Sequence, residues 1–214
     1  MEFLPKNIDD YACSHTQNES QILSELNRET WAKVLIPRML SGHLQGRALS
    51  MFSKMIRPKS ILEIGTYTGY SAICLAEGLQ NNGKLYTIDI NEELESMSSS
   101  YFKKAGIADK VTQFVGNALE IIPTINDRFD LVFIDADKEN YSNYFDIVID
   151  KMPVGGFIIA DNVLWSGKVV EKVSDNDSET KALINYNSKI HQSERVENLL
   201  LPVRDGLMIC QKIK

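Results

Sequence analysis

Apolar residues along this 214-residue chain follow two periods, and the change from one to the other divides it. Up to about residue 60 the spacing is helical. In "NESQILSELNRETWAKVL", Ile22, Leu23, Leu26 and Trp31 fall near one face of a helix. Pro37 interrupts that pattern, and "GRALSMFSKMI" resumes it as a second amphipathic helix closed by "RPKS". From residue 60 onward, short apolar runs alternate with helical stretches. Strands are expected at 60–64, 85–88, 111–115, 129–134 and 156–160. Helices are expected at 70–80, 92–105, 118–122, 140–151 and 178–191. The tail "VENLLLPVRDGLMICQKI" reads as two strands about an "RDG" turn. Such alternation predicts an α/β fold, a mostly parallel sheet covered by helices on both faces, with an antiparallel hairpin at one edge. In sheets of this kind ligands bind at the carboxyl ends of the strands, near the topological switch point. The strand ends are therefore where chemistry is expected.

Composition narrows the field only a little. With 43% apolar and 24% charged residues the balance is that of a globular chain long enough for one sizeable core, read here as a single domain over 1–214. A formal net charge of −6 argues against a nucleic acid as main partner, since such binders need a positive footprint. The three cysteines are odd in number, widely spaced and without a C-x-x-C, which disfavours a disulfide framework or zinc knuckle. Cys74 and Cys210 sit in apolar runs and read as buried free thiols. The N-terminus lacks a signal-peptide core, and no apolar run reaches the ~18–20 residues of a membrane span. A soluble protein of the reducing cytoplasm is expected, with no membrane partner.

The first strand runs into "EIGTYTG". Gly65 and Gly69 allow a tight turn and close approach of a ligand. A dinucleotide loop would need glycine where Tyr67 and Tyr70 stand, and Glu63 beside the loop would repel phosphate. A cationic ligand without phosphates suits it better, although a plain strand-to-helix turn would also call for glycine. Asp89 ends the second strand twenty residues after Gly69. A carboxylate there accepts hydrogen bonds from ribose hydroxyls, or else caps the helix that follows. The fourth strand delivers Asp135, Asp137 and Lys138, and the fifth delivers Asp161 and Asn162. If those strands are neighbours, Asp135, Asp161 and Asn162 form a set of hard oxygen donors suited to Mg²⁺ or a similar ion. Lys138, three residues after Asp135, would share its face and could serve as general base; alone it reads as a surface lysine.

"EIGTYTGYS", "IDIN", "FIDADKENY", "ADNVLWSGKV" and "LPVRDGLMIC", in this order and spacing, resemble the class I S-adenosylmethionine-dependent O-methyltransferases. More closely, they are similar to the cation-dependent catechol and caffeoyl-CoA O-methyltransferase group. The resemblance runs from about Met39 to the C-terminus. It implies a Rossmann-like sheet of seven strands in the order 3-2-1-4-5-7-6 with strand 7 antiparallel. Residues 39–214 would be the cofactor- and metal-binding core, and the helical segment 1–38 would contribute to the acceptor site or to a homodimer. It implies that Glu63, Gly65, Thr66 and Ser71 line the methionine end of the cofactor and that the backbone of Ser41 holds its amino-acid part. Asp89 would grip the ribose, Ala118 would lie by the adenine, and Asp135 and Asp137 would border the cofactor. Asp135, Asp161 and Asn162 match the metal ligands, Mg²⁺ first with Ca²⁺ or Mn²⁺ as alternatives. Lys138 matches the base, which would also touch the substrate, and Trp165 a loop residue that packs on the acceptor. His43 stands where relatives often carry an acidic residue.

The implied activity is divalent-metal-dependent methyl transfer from S-adenosylmethionine to a hydroxyl of a small aromatic vicinal diol, catechol-like or caffeoyl-type. Two alternatives stand beside it. One is methylation of a hydroxylated tRNA base, which a comparison of catechols with bulk tRNA as acceptors would separate. The other is a cofactor-binding protein without catalysis, which would bind the cofactor tightly and turn over no diphenol.

Overall fold

The strands line up as the alternation requires. In the computed structural model, which describes residues 5–214, they are β1 (Ser60–Ile64), β2 (Lys84–Asp89), β3 (Val111–Val115), β4 (Leu131–Ile134), β5 (Phe157–Ala160), β6 (Val196–Leu201) and β7 (Leu207–Lys212). They form one sheet of order β3-β2-β1-β4-β5-β7-β6. All neighbours pair in parallel except at β7, which runs antiparallel to both β5 and β6. The order reverses at β1, which pairs with β2 on one edge and β4 on the other. That reversal is the switch point, and β1 is buried along its whole length.

Alternate residues of each central strand serve two cores. Leu62, Ile64, Val132, Ile134 and Ile158 face one side with Phe129, Tyr141, Phe145 and Tyr186. Those aromatic residues come largely from helices α7 (Tyr141–Ile149) and α8 (Ser178–Gln192). Ile61, Leu85, Leu131, Phe133 and Ile159 face the other, against Leu23, Leu26, Leu49, Ile73, Leu75 and Phe102. This second layer is built by α2 (Gln21–Lys33), α3 (Gly42–Ile56), α4 (Tyr70–Ala76) and α5 (Glu95–Lys104). The short α1 (Lys6–Ser14) and α6 (Ala118–Ile121) complete the α-helices of the described residues. Cys74 and Cys210 are buried free thiols, as expected. Among the described residues no helix is long and apolar enough to cross a membrane.

Two expectations change. The buried stripe of α2 is Leu23, Leu26 and Thr30, whereas Trp31 is 62% exposed. Thr30 turns inward because its hydroxyl finds a buried partner, Thr68 Oγ1, at 3.2 Å. The helix expected over 70–80 stops at Ala76. There α3 presses close: a Cβ on Gly78 would stand 2.1 Å from the carbonyl carbon of Ser53. Ser53 Oγ also donates to Leu75 O at 2.6 Å, taking a carbonyl from the last turn.

Candidate active site

The carboxyl ends of β1, β2, β4 and β5 open into one cleft of about 1690 Å³. Of the residues singled out in the sequence, Ser41, Gly65, Thr66, Ser71, Asp89, Ala118, Asp135, Asp137, Lys138, Asp161, Asn162 and Trp165 all line it. Glu63 lies beneath its wall, with no exposed surface.

At the switch point β1 and β4 approach so closely that a side chain at position 65 is impossible. Gly65 has φ 103, and a Cβ there would fall 2.0 Å from the carbonyl oxygen of Asp135. The next bend is made by Tyr67 in the left-handed region, φ 48. Its N–H donates to Asp89 Oδ2 at 2.6 Å, and Asn91 N–H donates to Asp89 Oδ1 at 2.9 Å. Asp89 thus staples the loop to the end of β2, and each of its oxygens keeps a lone pair that a hydroxyl could use.

Glu63 is a strongly perturbed carboxyl. Burial pushes it up to about 8, the nearby Asp135 and Asp89 adding to the effect and the neighbouring Ser71 and Thr87 hydroxyls opposing it. Thr87 Oγ1 donates to Glu63 Oε2 at 2.5 Å. Since that uses the only hydroxyl proton of Thr87, Thr66 must be the donor in the 2.5 Å Thr66–Thr87 contact. Glu63 Oε1 has no partner among the described residues. A buried carboxyl with one idle oxygen suits a cationic or hydrogen-donating ligand.

Across the cleft β4 and β5 are paired neighbours, Ile134 opposite Ala160, so the residues that follow them converge. Lys138 is no surface lysine. It is 6% exposed, and its ammonium donates to Asp135 Oδ1 at 3.1 Å, Asn162 Oδ1 at 2.8 Å and Tyr141 OH at 2.6 Å. It also lies 5.7 Å from the centre of the Trp165 ring. Asp161 is buried and is pushed well above the usual carboxylate range by burial and by Asp135. Trp165 and Ser166 both take left-handed backbone. Among the described residues no three His, Cys, Asp or Glu side chains are grouped to hold a metal ion; the candidate set is two carboxylates and one amide.

Asp137 stands apart from that set. It is at the exposed rim, and its carboxylate accepts hydrogen bonds from Tyr144 OH and the Asn140 amide. Three residues, Arg204 lining the cleft and the buried Gln45 and Tyr141 behind it, escaped the sequence reading. Gln45 donates to Asp161 Oδ2 at 2.5 Å and accepts from Arg204 Nη1 at 3.0 Å. Tyr141, fully buried, donates to the carbonyl of Asp161 at 3.0 Å. For Gln45 the available signal was a glutamine on the buried stripe of an amphipathic helix; Arg204 and Tyr141 fall inside the stretches "LPVRDGLMIC" and "FIDADKENY" but were given no role there.

A family model described as O-methyltransferase matches residues 13–213. Similarity therefore reaches further toward the N-terminus than the motifs beyond Met39. The chain is 36% identical over 210 residues to a caffeoyl-CoA O-methyltransferase of Medicago sativa, covering 92% of this chain and 83% of that one. Among solved structures it is similar to the O-methyltransferase TomG of Streptomyces achromogenes in complex with SAM. That match has a TM-score of 0.90 and 27% identity over 97% of this chain and 96% of the other. An O-methyltransferase of Bacillus cereus in complex with SAH matches with a TM-score of 0.89 and 28% identity, over 96% and 97% of the two chains.

Proposed function

This chain belongs to the O-methyltransferase family, and from that premise we propose that it methylates one hydroxyl of a small aromatic vicinal diol with the help of a divalent cation. It is an S-adenosylmethionine-dependent O-methyltransferase of the caffeoyl-CoA O-methyltransferase type. The acceptor class and the cation rest above all on one observation: a buried ammonium lies between Asp135 and Asn162, beyond the paired ends of β4 and β5.

The donor set fits a cation. Asp135, Asp161 and Asn162 offer hard oxygens, the chemistry of Mg²⁺, Ca²⁺ or Mn²⁺ sites. Burial, and then the neighbouring Asp135, push the carboxyl of Asp161 up, and a cation there would favour its ionised form as Lys138 already does in part. When bound, such an ion lowers the pKa of a phenol, ordinarily about 10, and fixes two neighbouring hydroxyls.

The chain's own residues supply the rest. Lys138 is the base: once its ammonium has given up one of its three protons, its nitrogen, beside Asp135 and Asn162, takes the proton of the attacking hydroxyl. Trp165 covers the acceptor ring. Glu63, Ser41, Gly65, Thr66 and Ser71 hold the methionine end of the cofactor, Asp89 the ribose, Ala118 the adenine, and Asp135 and Asp137 border it. Glu63 suits the cationic end because an arriving ammonium would let it release its proton and occupy the idle Oε1. Fixing both partners within one cleft removes the entropic share of the barrier, on the order of 7–11 kcal/mol at best.

The test uses methyl transfer to catechol together with Mg²⁺ binding by calorimetry. Asp161→Ala is expected to lose the calorimetric signal and to lower turnover on the order of 100-fold or more. Full activity after exhaustive chelation would remove the cation from this proposal.

A further inference from the structure

Arg204 occupies the turn between β6 and β7 with φ 51, a left-handed conformation that strains any side chain and that glycine would adopt freely. The backbone gives no reason for an arginine there. The side chain reaches into the cleft. Its Nη1 donates to Gln45 Oε1 at 3.0 Å, and Gln45 passes the link to Asp161 at 2.5 Å. The guanidinium is thus tethered one amide away from the candidate cation site. It forms no ion pair with any described carboxylate, and its remaining N–H groups have no partner among the described residues. The same turn holds the Trp165 loop: Leu164 N–H donates to Asp205 O at 2.9 Å and Ser166 N–H to Asp205 Oδ1 at 2.5 Å.

A guanidinium with spare donors is a fork for a carboxylate. We propose that Arg204 holds a carboxylate carried by the acceptor, so that the preferred substrate is an aromatic vicinal diol acid. This rests on the diol reading above and adds the charged group. A second source of a carboxylate is the cofactor itself, since Arg204 Nη1 is 3.8 Å from the position of a Cβ on Gly42, beside Ser41. The link to Asp161 and the staple to the Trp165 loop favour the acceptor.

The experiment compares kcat/KM for 3,4-dihydroxybenzoate and 3,4-dihydroxybenzyl alcohol, with S-adenosylmethionine and Mg²⁺ present, in the full chain and in Arg204→Gly, Arg204→Lys and Arg204→Glu. Glycine suits φ 51, so Arg204→Gly should fold. The unaltered protein is expected to favour the acid. Arg204→Gly should lower the acid-to-alcohol ratio roughly ten-fold, the size of one charge-assisted hydrogen bond. Arg204→Lys should keep most of the preference, and Arg204→Glu should shift it toward 3,4-dihydroxybenzylamine. An unchanged ratio in Arg204→Gly overturns the proposal. So does an equal fall for both acceptors accompanied by weaker cofactor binding in calorimetry, which would assign Arg204 to the cofactor's carboxylate. No turnover of any diol would remove the proposed acceptor class, and this inference with it.

Discussion

A methyl group added at position 65 has nowhere to go. The backbone carbonyl of Asp135 fills the space at 2.0 Å, and φ 103 is hostile to any side chain. Neither obstacle is the tip of a flexible side chain, so relief requires β1 and β4 to part. Gly65→Ala is therefore expected to cost at least about 3 kcal/mol in urea unfolding and to displace Asp135, lowering methyl transfer out of proportion to stability. A variant that unfolds at the same urea concentration would show that the turn relaxes cheaply. Residues of this kind were legible in the sequence because a strand end ran straight into them. Glu63, Gly65, Asp89, Asp135, Asp161 and Asn162 all stand within two positions of a strand terminus. Gln45 escaped because it sits inside a helix, where a polar group reads as just another position on a stripe, and Tyr141 because a tyrosine opening a helix reads as core. Asp161 is brought to Gln45, and its carbonyl to Tyr141, only by the fold.

Tyrosines of the cofactor-side loop, α4 and α5 fasten these elements to the N-terminal segment. Tyr67 OH donates to the carbonyl of Ile36 at 2.9 Å, Tyr70 OH to Glu19, and Tyr101 OH to Glu29 at 2.6 Å. The two residues that spoil a dinucleotide loop, Tyr67 and Tyr70, thus tie Ile36 and Glu19 to the edge of the cleft. Tyr67→Phe removes one tie without changing shape. It is expected to speed amide exchange around residues 34–40 by the equivalent of about 1 kcal/mol, while β1 and β4 stay as protected as before. Equal exchange in both proteins would mean that the segment is held elsewhere. Periodicity found the elements but misjudged their faces and ends. Trp31 matched the stripe of α2 and points outward, because Thr30 has a hydroxyl partner only tertiary structure supplies. The end of α4 was hidden because it is set by the backbone of another helix.

For the molecule as a whole, alternation gave a parallel sheet with a terminal hairpin. It could not give the strand order, which came from resemblance, since neighbours in the sheet are fixed by crossovers that leave no local mark. The assembled cleft also concentrates acidic groups, and this has a consequence for stability. Folded, Glu63 holds its proton up to about 8; unfolded, it loses it near the ordinary carboxyl value of 4.5. Between those values the folded chain binds more protons, so stability falls as pH rises and levels off above about 8. Asp161 is shifted in the same direction by burial and by Asp135. Glu77 is lowered to about 2, hydrogen bonds from Arg47, Lys54 and Ser50 outweighing its burial. Its opposite contribution therefore lies below pH 4.5, outside this window. Glu63→Gln keeps the shape and removes the titration. From pH 5 to 8.5 the unliganded protein should lose stability relative to Glu63→Gln by a difference on the order of 4 kcal/mol. Saturating S-adenosylmethionine should shrink that difference, because a cation beside Glu63 favours its ionised form. Parallel stability curves for the two proteins across this range would mean that Glu63 is already ionised at neutral pH, and that the cleft needs no cation to hold its charge.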